Sequence, residues 1–76
     1  MSKGIYSSDQ EKLLLLLRQT REDAGLTQKD LADRINRSQS FISKCETGEL
    51  RLDLLELRQI CAAIGIPLQE FVKQFE

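Results

Sequence analysis

Apolar positions along the 76 residues recur at helical intervals and nowhere alternate long enough to make a strand. Ser8-Asp9-Gln10-Glu11 is a capping-box pattern, in which the hydroxyl satisfies an orphan amide while the acid reaches back to the capping residue's own N–H. From there a helix is expected to run to Gly25, a natural left-handed stop. At about 100° per residue, Leu13, Leu17, Thr20 and Ala24 share one face, with Leu16 on one flank and Leu14 and Arg21 on the other; Leu15 lies opposite. Thr27 begins a second helix, with Asp30 as its capping partner and Leu31, Ala32 and Ile35 inward. Asn36, the non-glycine residue most tolerant of positive φ, ends it. Ser38 caps a third helix, Gln39 to about Thr47, with Phe41, Ile42 and Cys45 inward and Gly48 as its stop. Asp53 pairs with Glu56 to open a fourth, which runs to Ile64 with Leu54, Leu57, Ile60, Cys61 and Ile64 inward and closes at Gly65. Pro67 opens a fifth to about Phe75, with Leu68, Phe71, Val72 and Phe75 on one stripe at i, i+3, i+4, i+7. Five helices on short connections predict a compact all-α bundle forming one domain over residues 1–76, with 1–7 a flexible arm and 66–76 the C-terminal helix.

Composition narrows what such a bundle can do. Apolar residues make up 41% of the chain but aromatics only 5%, so aliphatic side chains must supply most of a small core. Cores of this size often yield only ~3–5 kcal/mol net without staples, which makes help from a partner subunit an early expectation. There is no His, which removes the commonest general base and the commonest metal ligand. Cys45 and Cys61 have no CxxC companion to complete a zinc set and read as reduced core thiols of a cytoplasmic protein. The longest apolar run, Leu13 to Leu17, is too short to cross a bilayer or to form a signal-peptide core. Without a nucleophile elbow or a phosphate-cradling glycine loop, the expectation is no enzyme, no cofactor, no small-molecule substrate and no membrane. The net charge of −1 and a pI near 5.4 lack the overall basic sign of a nucleic-acid binder, a pI above ~9. Locally the picture changes, because Arg34 to Cys45 contains Arg34, Arg37 and Lys44 and no acid.

That basic strip lies inside the most informative stretch, Gln28 to Thr47. Two short helices are joined there by the turn Asn36-Arg37-Ser38. Ala32 is small where the helices must approach, Asn36 supplies a left-handed bend, and Ile42 and Cys45 fill the space between them. This is a helix-turn-helix arrangement, whose second helix enters the DNA major groove while the first crosses the backbone.

Thr27-Gln28, Leu31-Ala32, Ser38-Gln39-Ser40-Phe41-Ile42-Ser43-Lys44, Glu46, Gly48 and Arg51-Leu52-Asp53 together resemble the phage-repressor/Cro-type, or lambda repressor-like, helix-turn-helix family over about residues 10–75. Asn36 stands where Gly is usual in that family, and Arg37 where many members carry Val, which predicts a more basic and less buried turn. The resemblance implies a five-helix domain that binds double-stranded operator DNA as a homodimer and regulates transcription. Groove geometry then assigns roles. Gln39 can bridge adenine N6 and N7 through its amide, Lys44 can reach guanine or a phosphate, and Ser40 and Ser43 complete the outward set. The resemblance implies that Gln28 holds a phosphate and braces Gln39; Lys29, Arg37 and Arg51 are the other backbone candidates. It also implies a partly buried salt bridge between Arg21 and Glu46, an acid that the helix dipole disfavours in the last turn of its helix.

Four large apolar groups at the chain end exceed what one small core is expected to bury. Leu68, Phe71, Val72 and Phe75, with Leu14 and Leu15, therefore point to a symmetric homodimer that sets two recognition helices one DNA turn apart, ~34–36 Å, on a palindromic site. The leading expectation is a transcriptional regulator that represses by occluding polymerase. The alternative is a protein-interaction module, such as an antitoxin or accessory subunit using the same fold.

Overall fold

The computed structural model describes residues 8–76; the arm expected over 1–7 lies outside them. Five helices follow one another: α1 (Ser8–Asp23), α2 (Gln28–Arg34), α3 (Gln39–Thr47), α4 (Leu54–Ile64) and α5 (Leu68–Phe75). Among the described residues there is no strand, and no helix is long and apolar enough to cross a membrane.

Local chemistry sets the ends of these helices. Thr27 caps α2 in a reciprocal box: its hydroxyl accepts from the Asp30 amide at 3.0 Å, while the Asp30 carboxylate accepts from the Thr27 amide at 2.9 Å. Hydrogen bonds to the carboxyl from the Thr27 amide first and its side chain second hold Asp30 below its ordinary value. Asp53 and Glu56 make the same box at α4, and the Ser38 hydroxyl accepts from the Phe41 amide at α3. Asn36 carries the one positive φ outside glycine among the described residues, 59°. Its left-handed turn lets the Arg37 amide reach back to the Ala32 carbonyl at 2.9 Å, a Schellman closure that satisfies an orphan carbonyl of α2.

α3 rests on α1 and α2, while α5 rests on α1 and α4, and α2 also meets α4. The shared core holds Leu17, Leu31, Ala32, Ile42, Cys45, Ile60, Cys61 and Phe71, all nearly inaccessible, with Ile35 and Phe41 at its rim. Both cysteines are free thiols inside it, and burial pushes each up to about 11.

Three expected positions differ. Ser8 is already helical within α1 and is not its cap. Ala24 is exposed, because α1 stops at Asp23 and the helical angle no longer governs it. Leu54 is 65% exposed although its angle matches that of Cys61. It opens α4, and side chains lean toward the helix N-terminus, so Leu54 overhangs the end of the core.

Candidate nucleic-acid interface

Seven of the nine residues of α3 divide into two faces. At about 100° per residue, Gln39, Ser43, Ser40 and Lys44 fall on one arc of about 140°, and Phe41, Cys45 and Ile42 on the opposite side. The second group is buried in the core. Of the first, Gln39, Ser40 and Lys44 are exposed and Ser43 half-buried. A helix anchored by three buried side chains thus presents an amide, two hydroxyls and an ammonium on its free side.

Glu46 lies at the edge between these faces, two turns along from Gln39, and its side chain is 4% exposed. A carboxylate that deep needs a partner. Arg21 of α1 supplies one: its Nε donates to Glu46 Oε2 at 2.6 Å and its Nη2 to Oε1 at 3.1 Å. The remaining guanidinium arm, Nη1, donates to the Leu26 carbonyl at 2.7 Å, which ties the α1–α2 connection into the same contact. The Arg21 side chain is itself buried, so the two charges are withdrawn from water together. Its hydrogen bond to Glu46 raises the guanidinium pKa against the opposing effect of burial, with the charges of Glu46 and Glu22 adding to the rise.

The polar chain continues outward from Glu46. Gln28, the first residue of α2, donates its side-chain amide to Glu46 Oε1 at 3.1 Å. Its carbonyl accepts from the amide of Gln39 at 3.1 Å. The brace of Gln39 by Gln28, which the family resemblance implied, is thus present as a hydrogen bond in the free chain. The further link from Gln28 to Glu46 had no sequence signal of its own.

The cations occupy distinct settings. The Arg37 guanidinium lies 3.6 Å from the centre of the Phe41 ring, a cation–π contact worth ~0.5–1 kcal/mol at an exposed site, which holds the charge beside the start of α3. Lys29 pairs with Asp33 at 3.3 Å across exposed surface, a contact a phosphate can displace at little cost. Lys44 and Arg51 are exposed and form no ion pair among the described residues. Arg34, counted in the basic strip, donates to the Ala63 carbonyl at 2.8 Å; it ties α2 to the end of α4, where helix carbonyls lack intrahelical partners.

The C-terminal stripe is not uniform. Phe71 is 1% exposed and belongs to this chain's own core. Its assignment to a dimer contact is therefore corrected, because a side chain already enclosed has no area left to offer a second copy. Leu68 and Phe75 are half-buried, Val72 is 40% exposed and Leu15 66%. Lys12 lies over the Phe75 ring at 5.2 Å and covers part of it.

Comparison with known proteins agrees with this geometry. No curated protein matches the chain. Among solved structures, an XRE-family like protein from Pseudomonas syringae pv. tomato str. DC3000 is similar, with 41% sequence identity and a TM-score of 0.86 over 96% of this chain and 89% of that one. A family model described as helix-turn-helix domain matches residues 12–72. By that match, which takes in α2, α3 and the turn between them, the chain belongs to the helix-turn-helix domain family.

Proposed function

We propose that this chain is a sequence-specific double-stranded DNA-binding regulator of the phage-repressor/Cro type, reading base edges with the outer face of α3. The observation that carries the reading is that Gln39, Ser40, Ser43 and Lys44 line the free side of a helix fixed by buried residues, with the Gln39 amide already held by Gln28. Base contacts specify and phosphate contacts position. Gln39 reads adenine through its amide, Lys44 reads guanine N7 and O6 or holds a phosphate, and Ser40 and Ser43 serve neighbouring base edges. Gln28, Lys29, Arg37 and Arg51 hold the backbone on either side.

The regulator acts as a homodimer on a palindromic operator and represses by blocking polymerase. Val72 and Leu15 are its exposed apolar contacts, with Leu68 and Phe75 at the edges. Monomer at tens of micromolar in sedimentation contradicts that assembly.

Selection of bound sequences from a random duplex pool tests the reading. The expected product is a palindrome whose half-sites lie one helical turn apart. Gln39→Ala is expected to lose discrimination at one base pair per half-site, ~1–3 kcal/mol. Affinity should fall steeply with salt as counterions are released from the contacted phosphates. A flat salt dependence and no enriched sequence favour a protein-interaction module instead.

A further inference from the structure

We propose that Glu46 is a specificity-determining positioning residue: through Gln28, its carboxylate fixes which end of the Gln39 amide faces the DNA. This rests on the reading of Gln39 as a base contact and adds the reason for its polarity.

A run of side-chain amides has two proton orders of nearly equal shape, since C=O and NH2 occupy similar space. What selects one order is a group at the end of the run that can only donate or only accept. Glu46 is such a group: an ionised carboxylate has no proton to give. Arg21 occupies both of its oxygens, Nε on Oε2 at 2.6 Å and Nη2 on Oε1 at 3.1 Å, which holds the carboxylate rigid as well as charged. Gln28 therefore turns its NH2 toward Glu46 at 3.1 Å and is left with its carbonyl on the other side. That carbonyl can only accept, so Gln39 must turn its own NH2 inward, again at 3.1 Å. The order is settled from the buried end outward.

For the outer face of α3, this leaves Gln39 with its carbonyl and one N–H unspent. An acceptor beside a donor complements adenine N6–H and N7. The reverse order would spend the carbonyl inward and present two N–H groups, which suit the paired acceptors of guanine, N7 and O6. With the register of α3 held by phosphate contacts, the buried ion pair thus bears on the choice between adenine and guanine without touching DNA.

Two variants open the relay in different ways. Glu46→Gln replaces the acceptor-only end with an amide that can present either group to Gln28, so both orders become available. Gln28→Met breaks the chain while leaving the Arg21–Glu46 pair whole, so folding is kept even if Glu46→Gln is unstable; thermal melting checks each. Wild type and the Gln39→Ala, Gln28→Met and Glu46→Gln variants are titrated against the selected duplex and against one carrying G·C for A·T at the base pair where Gln39→Ala loses discrimination. Wild type is expected to prefer A·T by about ten- to a hundredfold, and both relay variants by less than about threefold, with preferences at other pairs unchanged. Lost phosphate contact cannot mimic this, because it weakens every sequence alike.

Full A·T preference in a folded Gln28→Met protein, alongside its loss in Gln39→Ala, overturns the relay and leaves the base contact standing. Undiminished preference at every pair in Gln39→Ala overturns the base contact and the relay with it. Independently of DNA, NMR couplings across hydrogen bonds in the free protein should run from the Gln39 side-chain nitrogen to the Gln28 carboxamide carbon and from the Gln28 nitrogen to the Glu46 carboxyl carbon. A coupling in the opposite sense between the two glutamines overturns the relay by itself.

Discussion

Where α3 meets α1 and α2, part of the contact is a line of polar groups: Leu26 carbonyl, Arg21, Glu46, Gln28 and Gln39, joined end to end by hydrogen bonds. Where α5 meets α1 and α4, it is largely apolar, with Phe71 buried in the same core cluster as Ile60 and Cys61. The two regions use different physics for different tasks. Apolar burial is non-directional and tolerates small rotations, which suffices for a helix that only has to close the core. Hydrogen bonds between buried charged groups are directional and costly to break, which suits a helix whose side chains must be offered in one orientation. A buried ion pair is weak evidence of net stability; here its value is in placement.

The largest expected effects come from cutting each region once. Phe71→Ala leaves a cavity in the apolar region and is expected to cost ~3–5 kcal/mol in chemical denaturation, while the surviving folded fraction keeps its base preferences. Arg21→Met strands the Glu46 carboxylate and is expected to cost a similar ~3–5 kcal/mol, but with altered DNA discrimination as well. Equal losses of discrimination in the two variants would erase the distinction between the regions. A sharper version is the double variant Arg21→Met/Glu46→Leu, which removes both charges. Stability is expected to recover by at least ~1 kcal/mol over Arg21→Met alone, whereas the adenine preference is lost because no carboxylate is left to orient Gln28.

A smaller effect follows from the two thiols in the apolar core. Burial raises Cys45 and Cys61 to about 11 from an ordinary 9.0. Between those values the folded chain holds protons that the unfolded chain has released, so stability falls as pH rises through that window and is untouched below it. By pH 10 the loss is about 1 kcal/mol per thiol. Denaturation midpoints at pH 8 and pH 10 measure it, and the decline should be smaller in Cys61→Ala. The same decline in that variant would mean that the Cys61 thiol does not cause it.

Much of this contrast was legible along the chain, for identifiable reasons. Caps act within four residues, so Thr27 with Asp30, Ser38, and Asp53 with Glu56 could be read directly. The inward stripe of α3 is legible because three apolar residues, Phe41, Ile42 and Cys45, fall within one arc of about 100°. Leu54 departs from its expected inward place because periodicity gives an angle and not how far the core extends along the axis. Phe71 was placed at a dimer contact because a stripe of four apolar residues does not say which of them the chain's own core will enclose. Arg34 belongs to the basic strip by sequence alone; its bond to the Ala63 carbonyl depends on how α2 meets α4, and no local pattern records that. The stacking of Arg37 on Phe41 and the link from Gln28 to Glu46 escaped for the same reason.

To read sequence, α3 must offer its outer face to a duplex. NMR titration of the protein with its selected duplex, following backbone and side-chain amide shifts, measures this most directly. The expected result is that the largest changes fall on Gln28, Gln39, Ser40, Ser43 and Lys44, including the side-chain amides of both glutamines, while the buried residues of α5 move little. Changes centred on Leu15 and Val72, with the Gln39 side chain unmoved, would contradict it.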